Sequence, residues 1–257
     1  MTITSVKNET VKAVRRLLDR KARRETGLHL IEGERLVLDA LKAGVVPDKI
    51  FIEEGKTLLE EAVRNFGLPF ISVSRNVLSA CCDTETPQGI LASVHTPAQQ
   101  VPETYPDGLI VILDAVQNSG NVGTVIRTAD AMGASCIILG LGCADAFSPK
   151  ALRAAMGSCY HIPVYTGELI PELKKLKAQG FSLICGHLGG KEDFPEISRN
   201  CAVVIGNEGN GASDEVSSFC ELVRLRMYGK AESLNASIAA GIFIYKIAEK
   251  MHSGADS

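Results

Sequence analysis

Three short loops carry the residue types of a ligand site. The first is Asn118-Ser119-Gly120-Asn121-Val122-Gly123, followed closely by Arg127. The second is Gly206-Asn207-Glu208-Gly209-Asn210-Gly211, leaving the apolar run Val203-Val204-Ile205. The third, Leu225 to Ser237, passes through Met227, Gly229, Ser233, Leu234 and Asn235. Each follows an apolar, strand-like run, bends at glycine and polar residues, and leads into a helix. Glycine at such bends lets backbone N–H and C=O groups approach a ligand. The side chains of the first two loops are mainly neutral amides and hydroxyls, with the Arg127 guanidinium and the Glu208 carboxylate; the third loop adds Arg226, Lys230 and Glu232. That set suits a polar ligand with uncharged hydrogen-bonding edges, such as adenine or ribose. Arg127 is the cation available for an anion or a developing negative charge.

Competing chemistries need other spacings. A dinucleotide fold places G-x-G-x-x-G directly after the first strand of the unit. Here Asp114-Ala115-Val116-Gln117 follows that strand, and Gly140-Leu141-Gly142, after the next one, lacks the third glycine. There is no G-x-x-x-x-G-K-[ST] phosphate loop. His29, His95, His161, His187 and His252 are scattered, and no C-x-x-C pair occurs, so no metal site is expected. Asn121 reads as the N-cap of a helix opening at Val122. Arg127 then falls on its second turn, between apolar residues that predict burial.

The elements that must position these loops alternate along the chain. Thr10 to Arg24 reads as one amphipathic helix, with Val11, Val14, Leu17 and Leu18 at helical spacing. His29-Leu30-Ile31, Lys49 to Glu53, Phe70 to Val73 and Gln88 to Val94 read as strands. Helices over Gly33–Leu41, Lys56–Asn65 and Arg75–Ala80 separate them. This is a compact α/β unit over 1–95. Residues 96–107, with three prolines and no apolar period, form a linker. From 108 onwards the alternation strengthens. Leu109 to Leu113 is apolar throughout, as expected of a strand buried on both faces of a parallel sheet. The proline in the strand-like Ile162-Pro163-Val164-Tyr165 suits an edge or a strand start. The last helix runs from Ser233 to Lys250, with Ile238, Ile242, Phe243, Tyr245 and Ile247 as its apolar face and Ser233 as a possible cap. The tail after Met251 reads as frayed.

Composition sets the frame. The chain has 257 residues, 46% apolar and 22% charged, with net charge −3, as in soluble globular proteins. Met1–Leu28 holds eight basic residues against three acidic ones, which points either to a polyanionic partner or to a solvated helix face. The first residues lack the apolar core of a signal peptide, and no apolar run reaches membrane-spanning length. The eight cysteines sit mostly within apolar runs. A reduced, cytoplasmic protein is expected.

The motifs also carry a resemblance. Asn118-Ser119-Gly120-Asn121-Val122-Gly123-Thr124-Val125-Ile126-Arg127-Thr128-Ala129-Asp130 resembles the first motif of the SpoU (TrmH-type) RNA 2′-O-methyltransferases. Ile205 to Gly211 resembles the second motif and Ser233 to Ala239 the third. His29 to Val37 is similar to the opening of that family's small L30e/L7Ae-like RNA-binding domain. The resemblance implies a SPOUT-type α/β fold, a Rossmann-like parallel sheet with a deep trefoil knot, over 108–257. Pattern alone would give an open sheet. It further implies S-adenosylmethionine as cofactor, held around Ile205, Gly206, Asn207, Gly209, Leu225, Met227 and Leu234. Arg127, Asn121, Glu208, Ser233 and Asn235 would form the catalytic set. The family assigns proton removal to the Arg127 position; a cation that stabilises the developing alkoxide is the alternative. Arg15, Arg16, Arg20, Lys21, Arg23, Arg24 and Arg35 are the candidate RNA contacts. A homodimer and an RNA partner, leaning to 23S ribosomal RNA, are implied. A transfer-RNA enzyme, a base methyltransferase of the wider knotted superfamily and a non-catalytic RNA-binding protein remain alternatives.

Overall fold

The computed structural model describes residues 2–197 and 199–253. They divide into two units. The first holds the chain up to Pro97 together with Phe147–Tyr160; the second holds Ala98–Ala146 and the chain from His161 onward.

The N-terminal unit opens on two helices, α1 (Glu9–Arg16) and α2 (Arg20–Thr26), in place of the single helix expected over 10–24. Asp19 breaks the run by capping α2 through Lys21 N–H at 2.6 Å. Arg23 locks the break. Its guanidinium donates to the carbonyls of Leu17 and Leu18, each at 2.9 Å. The strands and helices that follow are β1 (Leu28–Glu32), α3 (Glu34–Lys42), β2 (Pro47–Glu53), α4 (Thr57–Asn65), β3 (Ile71–Val73), α5 (Arg75–Cys81) and β4 (Ile90–His95). The sheet order is β1-β4-β2-β3, with β4 antiparallel to both of its neighbours. Val11, Val14 and Leu17 of the opening helices pack with Leu30, Phe51, Val77 and Leu78.

The second unit begins with β5 (Leu109–Leu113), α6 (Ser119–Ala131) and β6 (Cys136–Gly140). The chain then gives α7 (Pro149–Ala155) and a 3-10 turn, Ser158–Tyr160, to the first unit. A buried histidine explains that membership. His29 Nε2 lies 2.6 Å from the Tyr160 hydroxyl and Nδ1 3.0 Å from Thr96 Oγ1, with the Phe147 ring 4.9 Å away. A linear reading assigns Phe147–Tyr160 to 108–257 because nothing in its composition marks the excursion.

The remaining elements are β7 (Val164–Gly167), α8 (Leu169–Ala178), β8 (Ser182–Lys191), β9 (Cys201–Ile205), α9 (Asp214–Ser217), β10 (Glu221–Val223) and α10 (Ala236–Ser253). Residues beyond Ser253, where a frayed tail was expected, lie outside the described residues. The six strands are parallel in the order β10-β8-β9-β5-β6-β7. β7, which Pro163 immediately precedes, is at one edge. β5 and β9 lie side by side in the middle, buried at every residue. Leu109 pairs with Cys201 and Leu113 with Ile205. The two strands therefore end together, and their loops emerge next to each other at the carboxyl edge, where open α/β sheets bind ligands.

α10 closes this unit. It starts at Ala236, three residues later than expected, because Asn235 caps it: Asn235 Oδ1 accepts from the N–H of Ser237 at 2.9 Å and of Ile238 at 3.4 Å. Its buried face is Ala236, Ala240, Phe243, Ile244 and Ile247. Ile238 and Tyr245, read from the sequence as part of its apolar face, are each 54% exposed. Among the described residues no helix is long and apolar enough to cross a membrane.

Candidate active site

The second loop is folded on itself by its own backbone. Asn207 N–H donates to Gly211 O at 2.9 Å, and Gly211 N–H returns to Asn207 O at 3.0 Å. Gly206 cannot carry a side chain, since a Cβ there would overlap the backbone of Gly211 and Ala212. The Asn207 carboxamide fixes the rest. Its Oδ1 accepts from the N–H of Gly209 at 2.7 Å and Asn210 at 3.2 Å, and its Nδ2 donates to Ala115 O at 3.0 Å. Asn207 thereby staples the β9 loop to the β5 loop.

A relay of polar side chains crosses from that loop to α6 and α10. Glu208 Oε1 accepts from Asn121 Nδ2 at 2.7 Å. Asn121 Oδ1 accepts from Asn235 Nδ2 at 3.3 Å. Asn235 Oδ1 accepts from Ser237 Oγ at 2.7 Å. An ionised carboxylate only accepts, so Glu208 turns the Asn121 amide to donate towards it. That leaves Asn121 Oδ1 facing Asn235, and the direction propagates to Ser237. Desolvation pushes the Glu208 pKa up, but hydrogen bonds from Asn121 and from the backbone of the β9 loop, Gln117 and Asn118 outweigh it. The net shift is downward from 4.5, so the carboxylate state that orients the relay is the stable one.

Two cap assignments change. α6 begins at Ser119, and its cap is Asn118, whose Oδ1 accepts from Gly120 and Asn121 N–H. Asn121 is thus inside the first turn and 8% exposed, with its amide free for the relay. Ser233 caps nothing and lines the cleft described below. Arg127 departs further from expectation. It is the ninth residue of α6, on its third turn, and it is exposed. At 100° per residue it points about 120° away from the face that carries Asn121. It has no ion-pair partner among the described residues, so the structure does not bring it into the relay.

Beside the relay lies a cleft with a cavity volume of about 280 Å³. Ile205, Gly206, Asn207, Gly209, Leu225, Met227 and Leu234 all line it, as do Glu208 and Ser233. Asn121 and Asn235 stand behind it, touching Glu208 and each other. Residues not expected from the sequence complete the wall: Gly186, His187 and Leu188 in the middle of β8, Arg224, Glu232, and Phe243 of α10. The signal for the first three was present. Gly186-His187-Leu188-Gly189-Gly190 is another glycine-rich stretch after an apolar run. A Cβ on Gly186 would stand 2.8 Å from the Phe243 ring, so this glycine lets α10 seat against β8.

The candidate RNA contacts divide. Arg15, Arg16, Arg20, Lys21 and Arg24 are exposed on α1 and α2. Arg16 lies 3.8 Å from Glu25. Arg35 is exposed on α3, 3.8 Å from Asp39. Arg23 is corrected: it is 7% exposed and its guanidinium closes the α1–α2 turn.

Comparison with known proteins decides the family. Residues 108–245 match the SpoU rRNA Methylase family, and residues 8–92 match the MRM3-like substrate binding domain. The chain belongs to the SpoU rRNA methylase family. Among relatives, the 23S rRNA (guanosine(2553)-2′-O)-methyltransferase RlmP of Bacillus subtilis is 38% identical over 248 residues, covering 95% of this chain and 98% of that protein. The AdoMet-bound rRNA methyltransferase of Sinorhizobium meliloti superposes with a TM-score of 0.86 at 30% identity, covering 97% of both chains. AviRb of Streptomyces viridochromogenes, a SpoU methyltransferase solved in complex with AdoMet, gives 0.84 at 26% identity over 96% of this chain and 99% of that one. In this SpoU chain the matched catalytic segment contains the whole relay and the cleft.

Proposed function

We propose that this SpoU chain transfers the methyl group of S-adenosylmethionine to a ribose 2′-hydroxyl of 23S ribosomal RNA. The observation that carries the cofactor reading is the state of the backbone along the cleft. No backbone group from Leu225 to Leu234 joins a backbone–backbone hydrogen bond among the described residues. These N–H and C=O groups are committed to no helix or strand, and in this largely exposed segment they are available to pair with an adenine edge and a ribose. Leu225 and Leu234 offer apolar contact to the faces of the ring, and Gly206 keeps the floor free of side chains. When bound, the cofactor supplies an electrophilic methyl group on a sulfonium centre.

The protein's own part is alignment and charge. The Glu208–Asn121–Asn235 relay holds two amides in one orientation beside the cleft, so that the substrate ribose meets a preformed set of donors and acceptors. The Arg127 guanidinium stabilises the 2′-oxygen as it gains negative charge and holds the neighbouring phosphate, while the hydroxyl proton passes to water. Because Arg127 points away from the relay of its own chain, the site is completed in a homodimer. The exposed Ile238, Tyr245 and half-buried Ile242 of α10 form a stripe suited to that contact. Sedimentation should give a dimer, and Ile238→Glu with Tyr245→Glu a monomer without activity; an active monomer rejects this arrangement.

Two further readings rest on the same family. The chain from β8 to α10 is proposed to be knotted, supported by β9 lying between β5 and the earlier strand β8. Mechanical extension should leave a tightened knot that shortens the unfolded contour. The eight unpaired cysteines support a reducing, cytoplasmic setting. For the catalytic assignment, Arg127→Ala should retain cofactor affinity by calorimetry and lose methyl transfer by about a hundredfold or more. Full transfer by the variant removes Arg127 from the mechanism.

A further inference from the structure

From the cleft rim we infer a nucleobase-stacking site formed by Tyr228 with Arg226, which positions an unstacked base of the RNA substrate next to the reacting ribose. After Arg224, whose N–H donates to Lys191 O of β8 at 2.8 Å, residues 225–228 belong to no helix or strand, and their exposure alternates as in extended backbone. Leu225 and Met227 turn into the cleft. Arg226 and Tyr228 take the other side. Tyr228 is 90% exposed, more than any other large apolar or aromatic side chain among the described residues. The Arg226 guanidinium lies 5.3 Å from the centre of its ring. Arg226 is itself held, with Nε 3.6 Å from Glu192, whose carboxylate also takes Arg224 Nη2 at 2.9 Å. One face of the phenol ring is thus backed by a tethered cation, while most of the ring stands in water.

An exposed aromatic backed by arginine is the arrangement that binds single-stranded nucleic acid, because every base has a π-face to stack. The reaction supplies the need. A ribose 2′-oxygen must reach the methyl donor inside the cleft, so the target nucleotide leaves its neighbours and loses their stacking. Tyr228, one residue from the cleft-lining Met227, is placed to return a stacking partner. This inference rests on the RNA-methylating reading above.

The test is Tyr228→Ala beside Tyr228→Phe, with methyl transfer to a 23S rRNA transcript and equilibrium binding of the same transcript measured in parallel. The alanine variant should raise KM and Kd for RNA about tenfold or more, within the range of one base–aromatic stack. It should change kcat much less, leave cofactor affinity and oligomeric state unaltered, and be restored by phenylalanine, since stacking needs the ring and not the hydroxyl. Unchanged RNA affinity overturns the proposal. Loss of cofactor affinity would make Tyr228 a support of the cleft loop, and conversion to monomer would make it an interface residue; either result also overturns it. If the wild-type protein methylates no transcript, the enzymatic reading fails, and the binding arm still decides whether Tyr228 stacks on RNA.

Discussion

Glu208 has the largest influence on the side chains around it. Its carboxylate is the one member of the relay that cannot donate, and every amide orientation from Asn121 to Ser237 follows from that. Glu208→Gln keeps the size and removes the constraint, since a carboxamide can turn either way. The variant should lose about tenfold or more in kcat while remaining folded, as expected when a buried amide loses its fixed partner. Steady-state methyl transfer beside circular dichroism checks this. The pH dependence has a definite sign. A carboxylate whose folded pKa is depressed contributes stability above its unfolded value and loses it as pH falls through the folded one. The Glu208 pKa is depressed below 4.5. The difference in thermal stability between wild type and Glu208→Gln should therefore be full at pH 7 and close only below pH 4.5. A gap that closes near neutrality would show that another group titrates the relay.

At the scale of elements, the site depends on two loops leaving paired strands at the same level and on one helix laid across them. Gly206→Ala sets a methyl group against the Gly211 and Ala212 backbone. The loop must open, at a cost of roughly 1–3 kcal/mol or more, and cofactor binding should be lost; urea denaturation and calorimetry read the two effects. Phe243→Ala removes a 3%-exposed ring from against Gly186 and should destabilise by about 3–5 kcal/mol. Much of this was legible in the sequence. The apolar run Leu109–Leu113 announced a buried parallel strand and Val203–Ile205 the end of another strand, and glycine-rich loops after them announced a ligand edge. What was not legible was set by contacts distant in sequence. Asn118 and Asn121 are equally good caps by type, and the choice was made by Glu208, 87 residues away from Asn121. Arg127 between apolar residues looks buried until the helix is rotated to bury Val122, Val125 and Ile126. The α1–α2 break is hidden because it depends on where the Arg23 guanidinium goes.

For the molecule as a whole, the acidic net charge and the basic N-terminal helices are separate facts. The rest of the chain holds more acidic than basic residues, whereas α1 and α2 present Arg15, Arg16, Arg20, Lys21 and Arg24 to solvent. Reversing Arg15, Arg16 and Arg20 should weaken RNA binding and reduce the slope of log affinity against log salt, by about 0.7–0.9 for each phosphate contact removed. An unchanged slope would make these helices a solvated face. Arg23→Ala should behave differently, lowering stability through the loss of the guanidinium's hydrogen bonds to Leu17 and Leu18, the first of them buried.

The most direct measurement is the position of the methyl group on the product. The protein is incubated with methyl-labelled S-adenosylmethionine and unmodified 23S rRNA, and the RNA is hydrolysed in alkali. Alkaline cleavage needs a free 2′-hydroxyl, so transfer to ribose yields a labelled, alkali-stable dinucleotide. That product is the predicted result. Label recovered in a mononucleotide carrying a methylated base, or no label in RNA while cofactor binds the cleft, would contradict the ribose 2′-O assignment.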